Sequence, residues 1–160
     1  MEALLKKVYA SKKISSSLKI ISHVSVLICV AAYAAMLVYA FIKEPLRAIK
    51  LAACAAVPYI IVSVMRKLVD APRPYELYGF YETKPKDKVG QSFPSRHVFS
   101  AFTVAILAYT VSLWLSAALV VIAVCVAVAR VLLGMHFIRD VIAGGLIGIL
   151  SGILGIIIII

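Results

Sequence analysis

Residues 98–129 contain no charged side chain, and no other feature of the chain restricts its fold as much. As one α-helix this run would be about 48 Å long, well beyond the roughly 30 Å hydrocarbon core of a bilayer. The alternative is two short helices folded back on each other near Ser112 to Ser116, with no Gly or Pro to mark the turn. Hydroxyls at those positions can bond to backbone groups freed at a reversal. Residues 20–42 are also uncharged and long enough to span, and Lys43-Glu44-Pro45 ends that run. A second span reaches about Met65 and holds Pro58, and a last one covers 137–160, with Gly144, Gly145, Gly148, Gly152 and Gly155 read as packing residues. With 64% hydrophobic residues, far above the roughly half-apolar usage of soluble domains, the chain reads as an integral, multi-pass membrane protein. The expected fold is all-α: one domain, residues 1–160, forming a bundle of about five transmembrane helices.

Charge narrows the partners. Seventeen Lys and Arg against seven Asp and Glu give +10, and the basic residues lie between apolar spans. Anionic headgroups or phosphate esters of lipids fit this placement better than nucleic acid does. Lys6, Lys7, Lys12, Lys13 and Lys19 among Leu4, Leu5, Val8 and Tyr9 suggest a short helix over residues 1–19 lying on the membrane surface, or a solvated basic tail. Cys29, Cys54 and Cys125 sit inside apolar runs without metal-ligand spacing and read as small packing residues. No cleavage site follows the first apolar run, so a cleaved signal peptide is not expected.

The one long polar stretch is 66–97. In Asp70-Ala71-Pro72-Arg73-Pro74 two prolines bar a continuing helix around an arginine. Tyr75, Tyr78, Phe80 and Tyr81 suggest a membrane interface, and Lys84, Lys86 and Lys88 a loop over the headgroups. In Phe93-Pro94-Ser95-Arg96-His97, Pro94 suits a first helical turn and Ser95 a cap, which places His97 in the first turn. A helix start presents free N–H groups to a phosphate. Equally, a histidine there can be a plain interfacial residue.

Arg130, His136, Arg139 and Asp140 fall within eleven residues between two apolar runs. Ionisable groups so placed are costly and mark candidate sites. His136 and Asp140 are four apart, so on a helix they share a face, and the carboxylate can fix the imidazole tautomer. The bland reading is an interfacial His–Asp pair with two arginines reaching for headgroups.

Together, Arg66…Arg73-Pro74, Pro94-Ser95-Arg96-His97 and Arg130…His136…Asp140 resemble the three-part signature of the type 2 phosphatidic acid phosphatase family. That superfamily also includes bacterial acid phosphatases and vanadium haloperoxidases. Its motifs are Lys, six residues, Arg-Pro; Pro-Ser-Gly-His; and Ser-Arg, five residues, His, three residues, Asp. The resemblance covers residues 66–140. It departs at Arg66, where the family has lysine and this chain has Lys67 one place late, at Arg96 for glycine, and at Ala129 for serine.

The resemblance implies a metal-independent hydrolase, without cofactor, acting on a lipid phosphate or diphosphate. His136 would attack phosphorus, Asp140 would orient it, and His97 would protonate the leaving group and then activate water. Arg66, Arg73, Arg130, the Ser95 hydroxyl and the Arg96 N–H would bind the phosphoryl oxygens. Phosphoryl transfer to another acceptor, and a non-catalytic anion-binding transporter, are the alternatives. Which lipid is handled, and in what oligomeric state, stays open. In a five-span chain the lysine-rich N-terminus lies on the side of the site. The positive-inside rule makes that side cytoplasmic, whereas the resemblance implies an outward-facing site in the cell membrane. One requirement follows for 98–129: a single helix would hold His97 and Arg130 about 50 Å apart, so a shared phosphate demands the hairpin.

Overall fold

The computed structural model describes residues 1–79 and 89–160. The described residues are helical and connected by short turns: α1 Glu2–Tyr9, α2 Lys12–Lys43, α3 Pro45–Val69, α4 Pro74–Leu77, α5 Arg96–Leu107, α6 Leu113–Leu132 and α7 Ile138–Ile159. Among them α2, α3, α6 and α7 are long and apolar enough to cross a membrane. The all-α bundle expected from the sequence is thus observed, and its short member is α5. At 12 residues α5 is about 18 Å long, less than a bilayer core. It lies inside the bundle, with Val98, Phe99, Ala101, Ala105 and Leu107 buried. The outward surface is apolar instead: Leu27, Ile60, Val121, Leu146 and Ile157 are exposed, as lipid-facing residues should be.

Helix boundaries follow local chemistry. No Gly or Pro interrupts residues 12–43, so α2 begins well before the uncharged run at 20, and Ser11 Oγ accepts from Ile14 N at 3.4 Å. The surface helix is accordingly α1 alone, shorter than the 1–19 expected. It is also tied down: Leu5 is fully buried, and Tyr9 donates its hydroxyl to Leu133 O at 3.2 Å. Pro45 forces Glu44 into an extended conformation, which ends α2 and opens α3. Pro58 is absorbed within α3, which runs on to Val69, so Arg66 and Lys67 are helical rather than part of the polar loop.

The hairpin is present. After α5 a 3₁₀ turn, Ala108–Thr110, reverses the chain, and α6 starts at Leu113 with Ser112 extended. This is at the near edge of the Ser112 to Ser116 region. The hydroxyl that closes the turn is that of Thr110, bonded to Leu107 O at 2.8 Å, while the Ser112 side chain makes no cap bond. Arg47 Nη2 donates to Thr110 O at 2.7 Å, so the turn and the start of α3 share one end of the bundle.

Helices α5 and α7 pack in parallel, at very short range. Ser95 N donates to Asp140 O at 2.9 Å, and a Cβ at Gly144 would come within 2.5 Å of Ser95 O. Further along, Gly148 faces Phe99 O and Gly152 faces Ile106, so contacts advance in the same direction on both helices. Small residues permit this approach. The starts of α5 and α7 therefore meet at the end of the bundle opposite the hairpin turn. There they join the last turns of α3 and α6.

Candidate active site

Helix α6 ends in a turn that explains the spacing of its polar residues. Gly134 takes φ +64°, Gly134 N bonds to Val131 O at 2.9 Å, and Met135 N bonds to Arg130 O at 3.1 Å. This is the paired closure of a left-handed glycine cap. It stops the helix after Arg130 has made its last turn and delivers His136 directly beyond. His136 therefore precedes α7 instead of sharing a helix with Asp140, as the four-residue spacing suggested. Asp140 sits in the first turn of α7, where its Oδ2 accepts from Phe137 N at 2.9 Å. The two still meet, with His136 Nδ1 3.8 Å from Asp140 Oδ2. Tyr75 N also donates to Gly134 O at 3.1 Å, fastening α4 to the same turn.

Asp140 has a partner that the sequence reading missed. Ser92 Oγ donates to Asp140 Oδ2 at 2.5 Å and lies 3.3 Å from His136 Nδ1. Ser92, His136 and Asp140 are all buried. Ser92 belongs to the segment entering α5, which is held from below: Ser92 N bonds to Ala71 O at 2.8 Å and Gly90 N to Glu76 Oε1 at 2.8 Å. A serine two positions before Pro94 in a polar run was the available signal.

Three arginines are buried beside this group. Arg66 Nη1 donates to Pro94 O at 2.5 Å, and Arg73 Nε donates to Gly90 O at 2.9 Å. Arg130 Nη1 lies 3.0 Å from Met135 Sδ. Lys67, one residue along from Arg66, is exposed. Pro94 precedes the N-cap of α5 rather than lying in its first turn, and Ser95 occupies the cap position without its hydroxyl capping. Ser95 Oγ, Arg130 Nε and Asp140 Oδ1 are buried with no hydrogen-bond partner, although Arg139 Nε lies 3.5 Å from the last. Buried polar atoms rarely stay unsatisfied, because each costs about 1–3 kcal/mol. Ser95 Oγ at the cap of α5, Arg130 Nε on α6 and Asp140 Oδ1 on α7 are therefore candidates to meet a polar ligand.

His97 and Arg96 lie in the first turn of α5 and face a cleft of about 370 Å³ between α2, α3 and α5. Val26, Val30, Ala55 and Ala56 give it apolar walls. The His97 ring is exposed to this opening, while the Arg96 guanidinium stacks over the Tyr59 ring at 5.2 Å. Burial pushes the His136 imidazole down to about 4; Asp140 opposes the fall, and Arg73 and Arg66 reinforce it. At neutral pH the ring is uncharged and can use a lone pair.

One expectation about the aromatic residues changes. Tyr75 is fully buried with its ring near the Arg73 guanidinium at 5.9 Å, so it belongs to the core of the site and not to an interfacial belt. Tyr78 is exposed. Phe80, Tyr81, Lys84, Lys86 and Lys88 lie outside the described residues.

A bundle of apolar helices with three guanidiniums, two histidines and a serine-linked carboxylate gathered at one end is a candidate anion site. Residues 47–159 match the PAP2 superfamily, and the chain belongs to it. Among solved structures it is similar to LpxE of Aquifex aeolicus, with a TM-score of 0.69 and 23% identity, covering 96% of this chain and 93% of that one. It is equally similar, at TM-score 0.69 and 21% identity, to a transmembrane PAP2 type phosphatidylglycerolphosphate phosphatase from Bacillus subtilis, covering 96% of this chain and 81% of that one. At such identities the likeness is one of fold. No curated protein matches the sequence.

Proposed function

We propose that this protein is a lipid phosphatase that hydrolyses a phosphate monoester or diphosphate of a membrane lipid through a phosphohistidine intermediate. The observation that carries the reading is convergence. Arg66, Arg73, His97, Arg130, His136 and Asp140 come from separate segments, each lies within electrostatic reach of others of the six, and His97 lines an apolar cleft. The Bacillus subtilis neighbour, a phosphatidylglycerolphosphate phosphatase, points the same way.

The hydrogen bonds support this chemistry. Ser92 has one hydroxyl proton and gives it to Asp140, so its contact with His136 requires Nδ1 to be the donor. That tautomer leaves Nε2 with a free lone pair, the form a nucleophile needs. Nε2 attacks phosphorus, and the imidazolium formed is stabilised through Ser92 by Asp140. His97, open to the cleft, protonates the leaving oxygen and later takes a proton from water. Arg66, Arg73 and Arg130, with Ser95 Oγ and the Arg96 N–H, hold the phosphoryl oxygens and offset the charge of the transition state. The guanidiniums supply the positive charge, so no step calls on a metal. The lipid chain stays in the apolar cleft.

Release of phosphate from a lipid phosphate by purified protein in detergent, with and without EDTA, tests this reading. Turnover that survives EDTA, is inhibited by vanadate and is lost in His136→Ala is the expected result. A protein that binds these lipids without releasing phosphate is a binding or transport protein, and transfer of the phosphoryl group to an added alcohol in place of water makes it a transferase.

A further inference from the structure

The side chain of Arg96 has no part in the chemistry above, yet it is placed as if to meet an anion. It stands one residue before His97, in the first turn of α5, and lines the cleft through which a lipid chain must leave the site. Its guanidinium is half-buried and stacked on Tyr59 of α3 at 5.2 Å. Among the described residues no carboxylate pairs with it. It is also within electrostatic reach of Arg66 and His97, and so adds a like charge to a region already cationic. An arginine held among cations, stacked on a ring and with no carboxylate partner among the described residues, is an arrangement that an incoming anion relieves.

The position says which anion. Arg66, Arg73 and Arg130 surround the phosphoryl group that is transferred. Arg96 lines the cleft beside His97, whereas Arg66, Arg73 and Arg130 do not, so it is placed to face whatever is joined to that group toward the lipid. In a monoester this is an alcohol oxygen on a neutral carbon chain. In a diphosphate it is a second phosphate, charged in the substrate and still charged as it leaves. Resting on the phosphatase reading above, we infer that Arg96 and Tyr59 form a subsite for the retained phosphate of a lipid diphosphate.

The step balances without a further reactant. A bond forms between His136 Nε2 and the terminal phosphorus, and the bond from that phosphorus to the bridging oxygen breaks. The electron pair stays on the bridging oxygen, which departs as part of the lipid monophosphate beside Arg96. Water then cleaves the N–P bond and releases orthophosphate. The net reaction is lipid diphosphate plus water giving lipid monophosphate plus orthophosphate. His97 gives its proton to the bridging oxygen, and the charge that the retained phosphate keeps is what the Arg96 guanidinium neutralises.

The test compares a prenyl diphosphate with the matching prenyl monophosphate in one detergent, for wild type, Arg96→Gly, Tyr59→Leu and Tyr59→Phe. The Arg96→Gly variant should lower the diphosphate-to-monophosphate ratio of kcat/KM at least tenfold. Tyr59→Leu should lower it less, and Tyr59→Phe, which keeps a ring, should leave it within twofold. Equal losses on both substrates, or no change in the ratio, overturn the inference while leaving the phosphatase reading intact. A methylene-bisphosphonate ester of the same prenyl alcohol, followed by thermal shift, separates the two claims. If wild type turns over neither substrate but binds this analogue more tightly than Arg96→Gly does, the phosphatase reading fails and the subsite stands. If the variant binds the analogue as well as wild type, the subsite is gone.

Discussion

His136 Nδ1 is 3.8 Å from the nearest oxygen of Asp140, too far for a direct hydrogen bond, and the Ser92 hydroxyl lies between the two. The carboxylate therefore reaches the imidazole through a third side chain. Replacing Ser92 by alanine should lower kcat by about 10–100-fold, the usual cost of losing a group that orients an active one, with KM little changed. Because the two act in series, Ser92→Ala combined with Asp140→Asn should cost little more than the worse single change. Strict additivity in that cycle would mean that Ser92 does not connect the pair.

The protonation state of His136 can be read directly. With only three histidines in the chain, ring NMR of labelled protein distinguishes them by single substitutions. Burial holds the folded-state value at about 4, below the ordinary 6.5, so the ring should stay neutral and protonated on Nδ1 from pH 8 down to about 5. It should gain its second proton only as pH falls through about 4. The sign carries over to stability: a depressed histidine binds fewer protons folded than unfolded, so its contribution weakens as pH drops from 6.5 toward 4. A midpoint above 6 would contradict the buried, cation-flanked environment.

Arg66 and Lys67 test the register of the first motif. Arg66 is buried with its guanidinium on Pro94 O, whereas Lys67 points outward. Neighbouring helical residues differ by about 100° in direction, so they are not interchangeable. Arg66→Ala should reduce kcat/KM by about 100-fold or more, in the range of losing a charge-stabilising donor, and Lys67→Ala should stay within about twofold. A larger loss for the lysine variant would reverse the assignment.

Much of this was legible in the sequence, and the exceptions have physical causes. Uncharged runs report apolar thickness, so they located the spans and demanded a reversal between His97 and Arg130. They do not report helix ends, and α2 runs back to Lys12 because nothing breaks a helix between Ser11 and Pro45. The arginines and histidines stood out because charge near apolar runs is expensive. Ser92 did not, since a single hydroxyl in a polar loop carries no periodicity, and only the folded chain brings it to Asp140. Spacing alone put His136 and Asp140 on one helix; the left-handed Gly134, four residues after Arg130, was the local signal against it. Tyr75 was assigned by residue type to an interface, while its backbone bond to Gly134 draws it into the core.

Adjacent glycines of α7 should respond very differently to alanine. At Gly144 the new methyl meets the backbone oxygen of Ser95 at 2.5 Å, while at Gly145 it meets the edge of the Phe102 ring at an ordinary 3.6 Å. Gly144→Ala must push the start of α5 away from Asp140, so kcat should fall at least about tenfold, since small misplacements of reacting groups are costly. Gly145→Ala should retain activity within about twofold. Thermal unfolding of both in detergent separates misfolding from misplacement. Equal activities would show that α5 and α7 are less closely coupled than their backbones indicate.

That coupling has a mechanical consequence. Gly144 and Gly148 face backbone oxygens of α5 directly, and Ser95 N is bonded to the backbone of Asp140. The His97 and Asp140 segments form one stiff jaw, which cannot widen to admit a lipid without breaking main-chain contacts. The other wall of the cleft is α2 and α3, joined at the far end of the bundle by the single extended residue Glu44.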